Sequence, residues 1–402
     1  MAKTKPEQRP QNSTRHHKKP GSKKQKRKEQ KPEETPEILY AQAISLLETS
    51  QPEEALAAAQ RLLALVQPTS ERTLQSLPAL NLLGEIHVEL GDVDAARECF
   101  TIAASLDPEG QIPETQGGGA EKFLWLAQLC ENGGAESVGW FEKGAVVLKK
   151  EVLELEDGEQ DEGVLMLLEE KRRKLANALC GVVEVYMTDL SWEEDAEARC
   201  ESLITEALLV APEDPEVLQT LASVRISQTK LDDARAALAR STALWKDLEP
   251  EDPKVPDFPT RISLARLLME VDMEDEAMEV LERLVAEDDS SVEAWYLGGW
   301  CLHLIGEKKR LQVNGAVQDA ESRESREVRS VLKSSRDWLQ NSLRLYQMLE
   351  YEDERLRDHA LELVAGLNQI LGEPAADGEE DADEDGWEDD DVSDRDEDME
   401  GT

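Results

Sequence analysis

Glu85 and Glu89 stand one helical turn apart, so in a helix their carboxylates point the same way. Tyr296 and Trp300 repeat that spacing with aromatic rings. Carboxylates attract Lys and Arg through charge, and ring faces receive the same cations through their quadrupoles. By register, Tyr40, Glu48, Asn81, Glu216 and Glu270 fall on equivalent helix faces. The set suits an extended basic peptide, with acid for charge and rings to lie under cationic side chains. It offers nothing that makes or breaks bonds. There is no Walker-type phosphate loop, no GxSxG elbow, no HExxH and no CxxC pair. Gly117, Gly118 and Gly119 follow no strand, so a phosphate cradle is not expected. His16 and His17 lie in a basic arm, His87 takes a packing position, and His303 and His359 lack evident ligand partners. No carboxylate stands in an apolar setting that would tune it for acid–base work. A non-catalytic binding protein without metal or other cofactor is expected.

The elements that position these residues show in a rhythm of small side chains. Gly84 is followed at plus twelve by Ala96, then by Phe100 and Ala103. Ala222 is followed by Ala234, Leu238 and Ser241, and Ala265 by Ala277, Leu281 and Leu284, at the same offsets. Ala43 and Ala55 repeat the twelve-residue step. Two antiparallel helices approach closely only where side chains are small, and a large residue one turn on fills the adjacent gap. Each pair leaves an apolar face uncovered, so pairs must stack. About seven pairs are expected between residues 36 and 350, with a capping helix over about 352–371. The first two pairs cover 36–49 with 53–66 and 77–90 with 92–105. A looser third pair runs through Leu124, Trp125, Ser137, Phe141 and Gly144, and a long helix over 163–188 faces one over 194–210. Pairs at 215–246 and 260–287 flank a proline-rich connector at 247–259. In the last pair, residues 307–326 read as a polar insertion and the second helix begins near Glu327. No strand pattern is convincing.

The 402 residues carry a net charge of −43, unevenly placed. Residues 1–31 hold twelve Lys/Arg against two Glu, and residues 373–402 hold seventeen Asp/Glu against one Arg. The stretch between retains −37. Three regions follow: a basic disordered arm over 1–35, a helical solenoid over 36–371 and an acidic disordered tail over 372–402. So acidic a solenoid repels phosphate and attracts basic proteins, so no direct nucleic-acid partner is expected. No run approaches the roughly 20 apolar residues of a membrane span, so no membrane role is expected. Cys99, Cys130, Cys180, Cys200 and Cys301 are scattered and read as reduced core thiols. A soluble monomer is expected, in the cytoplasm and nucleus. The cluster from Lys18 to Lys28 is a candidate importin ligand.

Leu80, Leu83, Gly84, His87, Ala96, Phe100, Ala103 and Pro108 stand at the spacing of the tetratricopeptide repeat, which this chain resembles. That resemblance implies an all-α, right-handed superhelical solenoid whose first helices line an inner groove. The first-helix segments 36–49 and 77–90 contain no Lys or Arg, so they lack the clamp that holds C-terminal carboxylates in some such proteins.

The whole layout goes further. A basic start, irregular repeats and a tail containing Asp385-Gly386-Trp387-Glu388-Asp389-Asp390 resemble the fungal assembly chaperones of large-subunit ribosomal protein four. That family implies a client: a long basic loop of a newly made ribosomal protein, clasped in the groove and escorted to nuclear pre-ribosomes. The alternative is a scaffold or adaptor in a stable nuclear or cytoplasmic complex. In either case the groove residues would be Tyr40, Glu48, Asn81, Glu85, Glu89, Glu216, Glu270, Tyr296 and Trp300.

Overall fold

The computed structural model describes residues 34–69, 73–159, 161–313 and 323–372. Most of the basic arm and nearly all of the acidic tail lie outside the described residues. All regular structure among the described residues is helical, and the helices come as antiparallel neighbours. The chain divides into two compact units, residues 1–96 and 97–402.

In the first unit, α1 (Pro36–Glu48) packs on α2 (Pro52–Val66), and both meet α3 (Leu77–Glu89). Proline opens α1 and α2 where its missing N–H costs nothing. Leu39, Leu62 and Ala79 form the core, backed by Leu63 and Val66. After α3, Gly91 takes φ +71°, a left-handed turn that suits glycine. Asp92 then accepts from Ala95 N at 3.1 Å, so its carboxylate caps the next helix, α4 (Val93–Leu106). The division of the two units falls inside α4.

The second unit continues with α5 (Glu121–Gln128), α6 (Gly134–Glu156), α7 (Glu162–Met187), α8 (Ala196–Val210), α9 (Pro215–Ser227) and α10 (Leu231–Ala243). It ends with α11 (Phe258–Glu270), α12 (Glu274–Glu287), α13 (Val292–Val313), α14 (Arg323–Met348) and α15 (Glu354–Leu371). Helices pair as α5/α6, α7/α8, α9/α10, α11/α12 and α13/α14, and α15 lies on α13 and α14. The first helices also touch one another, α7 on α9, α9 on α11, α11 on α13 and α13 on α15. This row positions the site below. Asp214, Asp257 and Asp353 cap three of its helices through their carboxylates.

At the close approaches the small residue often does more than leave room. Ser241 Oγ donates to Pro215 O at 2.9 Å, Ser335 Oγ to Gly299 O at 2.7 Å and Ser342 Oγ to Val292 O at 2.9 Å. Each ties a second helix to the backbone of the first. At Gly299 a Cβ would sit 2.6 Å from Leu339 Cγ and 2.9 Å from its backbone nitrogen, so the glycine is a packing requirement.

One expectation needs correcting. The polar stretch 307–326 is not wholly an insertion: α13 runs on to Val313 and α14 starts at Arg323. Ion pairs sustain the extra turns. Lys308 reaches Asp272 at 2.7 Å and Glu274 at 2.6 Å, Arg310 pairs with Glu307 at 2.8 Å, and Lys309 joins Glu327 of α14 at 2.5 Å.

Candidate functional site

In the first unit, α1 presents Tyr40 and Glu48, both exposed, and α3 presents half-buried Asn81 and Glu85 and exposed Glu89. The apolar neighbours Leu80, Leu83 and Ile86 are buried, as the register requires. His87 is half-buried, with Nδ1 3.6 Å from Asp92 Oδ2, next to the turn that Asp92 caps.

The second unit brings the remaining residues to two clefts along its row of first helices. A cleft of about 340 Å³ opens where α7, α9 and α11 meet. Glu184 and Glu216 face it beside Gln219, Thr220, Ser223 and Thr260. Burial, then the charges of Asp214 and Asp257, push the Glu216 carboxyl up to about 7, with Arg173 opposing and Glu184 adding to the rise. Glu184 is also raised, by burial. Asn177 Nδ2 donates to Glu216 Oε2 at 3.3 Å, and Gln219 Nε2 is buried without a hydrogen-bond partner. A cationic side chain entering this cleft would meet two carboxyl groups eager for compensation and an amide with hydrogen-bonding capacity unused.

The second cleft, about 640 Å³, lies among α11, α13 and α15. Tyr296 and Trp300 share it with His359 of α15, with Arg266 and Glu270 at its edge. The Tyr296 and Trp300 rings lie 6.0 Å apart, so the four-residue spacing does bring them together. Tyr296 is not the exposed ring that the sequence suggested. It is only 9% exposed, its hydroxyl meets His359 Nδ1 at 2.7 Å, and Trp300 meets the same imidazole edge-on at 5.1 Å. The capping helix supplied this partner from 63 residues away, a distance no local pattern reveals. Trp300 remains half-exposed to the cleft.

Sequence reasoning also missed Glu216 as a titrating group. The signal was present in part: Asp214 and Asp257 are both helix N-caps, and stacking α9 on α11 brings their charge to the same carboxyl. Among the described residues no group of three His, Cys, Asp or Glu could hold a metal ion. None of the described helices is long and apolar enough to cross a membrane. All five cysteines are free, and burial pushes the Cys180 and Cys301 thiols up to about 12.

The tetratricopeptide-repeat family model matches residues 40–111. A protein of Emericella nidulans, described as a probable assembly chaperone of rpl4, is 54% identical over 345 residues, 86% of this chain and 84% of its own. The chain belongs to the family of rpl4 assembly chaperones. A Schizosaccharomyces pombe member with the same description is 34% identical over 75% of this chain and 83% of its own. A solved structure of the assembly chaperone of RpL4 (Acl4) shares 53% identity and superposes with a TM-score of 0.64, covering 69% of this chain and 99% of that one. The all-helical repeat architecture is therefore a property of the family.

Proposed function

We propose that this chain is a dedicated, non-catalytic chaperone of the ribosomal protein rpl4. It holds a basic, extended segment of the newly made client against the carboxylates of its first helices and escorts it to nuclear pre-ribosomes. The observation that carries the reading is the 54% identity to a probable rpl4 assembly chaperone across 86% of the chain. The charge of −43 supports it, because opposite fields speed encounter with a basic client and keep competing RNA away. Half-buried Glu216, with Glu184 facing the same cleft, supports it further, because a carboxyl whose charged form is disfavoured gains most from an arriving cation. Import would use the basic residues between Lys18 and Lys28 as the importin ligand.

The test is capture of nascent client on the tagged full chain, followed by titration with a purified basic rpl4 segment. Changing Glu85 and Glu89 to Lys should weaken binding about tenfold or more without loss of helicity, since interfacial charge pairs couple by roughly 1.5–7 kcal/mol. Affinity should also fall with salt, as the screening length drops from about 10 Å at 0.1 M to about 3 Å at 1 M. Affinity indifferent to both would remove the acidic faces as the client site. Stoichiometric recovery of a stable assembly without nascent rpl4 would make the chain an adaptor instead.

A further inference from the structure

Helix α14 stands out in this acidic chain, with six Lys/Arg against three Asp/Glu, the largest positive excess of any described helix. Arg326, Arg329, Lys333 and Arg336 follow at steps of three, four and three, which places them along one face. The stripe is about 15 Å long at 1.5 Å per residue. Elsewhere in the second unit many cations have a carboxylate partner, as Lys122, Lys171, Arg225, Arg261 and Lys308 do. These four have none among the described residues. Arg329 donates to Leu371 O at 3.0 Å, and Arg336 to Asn368 Oδ1 at 3.3 Å and Gly372 O at 3.0 Å. Those acceptors are neutral, and Arg336 Nε is buried with no partner at all.

The same contacts fix where the acidic tail begins. Gly372 is the residue that Arg336 holds, and Glu373 follows it. Seventeen carboxylates and a single arginine then occupy residues 373–402. We propose that the acidic tail, within residues 373–391, lies back along the Arg326–Arg329–Lys333–Arg336 face of α14 and neutralises it. Nineteen residues of extended chain reach about 60 Å, ample for a stripe of about 15 Å. Tethering at Gly372 gives the tail a high effective concentration that no free polyanion matches. A free nucleic acid must also approach against the field of the whole acidic chain, whereas the tail is already there. Docking would keep the tail's carboxylates from competing for a basic client and would cover a cationic face that otherwise attracts RNA.

Lys333 carries the one amine of the stripe, and zero-length carbodiimide coupling joins amines to carboxylates. Applied to the full chain and read by peptide mass spectrometry, it should give links from Lys333 to carboxylates of residues 373–391. Their yield should fall about tenfold in 0.5 M salt, where the screening length is a few ångströms. Arg326→Glu should lower the yield several-fold while leaving the Lys333 amine in place. Mixing isotopically heavy and light chains should give links within one isotope only. Tail carboxylates that couple only to lysines of residues 1–31 would overturn the proposal. So would links between heavy and light chains, or a Lys333 that couples to no tail residue and is shielded by an added RNA oligonucleotide.

Discussion

The pair α9/α10 and the segment that leads into α5 lie in one unit and are held together by opposite means. Across α9/α10 the close approach is made by Ala222, Ala234 and Leu238, all fully buried, with Ser241 bonded to a facing carbonyl. In the first turn of α5, Lys122 is fully buried, with Nζ 3.0 Å from Asp107 Oδ2 and 2.6 Å from Gly119 O, so it ties down the loop that leads into the helix. Asp107 in turn accepts from Gln111 N at 2.8 Å. Close by, Lys171 of α7, 5% exposed, bridges Glu114 at 2.7 Å and Glu151 at 2.9 Å. Apolar complementarity between regular pairs repeats at fixed spacing, because the small residue at each crossing sets how closely the helices approach. An irregular loop has no such template, and buried charges with directional bonds fix its path instead. Burial pushes the Lys122 ammonium down, with Asp107 and Glu151 opposing.

This contrast predicts its largest effect at Lys122. Lys122→Met leaves Asp107 buried without its cation, which costs about 3–5 kcal/mol when one partner of a buried pair is lost. Urea unfolding of the full chain reads it. Adding Asp107→Asn should recover part of the loss, because the stranded charge disappears. A single-variant cost below about 1 kcal/mol would mean that the loop is held by packing after all, and the contrast would fail.

The apolar side of the contrast is tested by two glycines. Gly299→Ala places a Cβ against Leu339 side chain and backbone together, and overpacking of that kind costs about 1–3 kcal/mol. Gly139, on α6, has nothing within 4 Å of where its Cβ would be, so Gly139→Ala should stabilise by about 0.5–1 kcal/mol through helix propensity alone. Thermal melts of both variants give the comparison. Equal shifts of the same sign would show that the crossing is looser than its geometry.

These cases also mark how far the sequence could be read. The spacing of Ala222, Ala234 and Leu238 reflects the physics of one helix crossing, so it was legible, as was the start of that pair at Pro215. Lys122, in the first turn of α5, and Asp107, just past α4, lie outside that periodicity at the two ends of a loop whose path depends on their pairing, and no pattern announces it. The bond from Tyr296 to His359 was not legible, because His359 arrives from a helix whose docking site is set by tertiary packing. The continuation of α13 to Val313 rests on ion pairs with Asp272 and Glu274, which belong to another pair and are invisible to a local window.

The effect that bears on the candidate site belongs to Glu216, and it appears only at high pH. Its carboxyl is raised to about 7 in the folded chain by burial and by Asp214 and Asp257, against an ordinary 4.5. Below pH 4.5 the group is protonated whether the chain is folded or not, and the raised value has no effect. Between 4.5 and 7 the folded chain holds the proton more tightly, so rising pH erodes stability through this window. Above about 7 the penalty is complete, and solvent screening of a partly exposed carboxyl holds it to about 1–2 kcal/mol. Glu216→Gln should therefore raise stability by that amount at pH 8 and leave it unchanged at pH 4. Denaturant melts at the two pH values measure the difference. A basic client bound in the cleft supplies the missing charge, so the same variant should bind it less well at pH 8 while being the more stable protein. Gains in both stability and binding would remove Glu216 from the client surface and leave its burial as a packing cost alone.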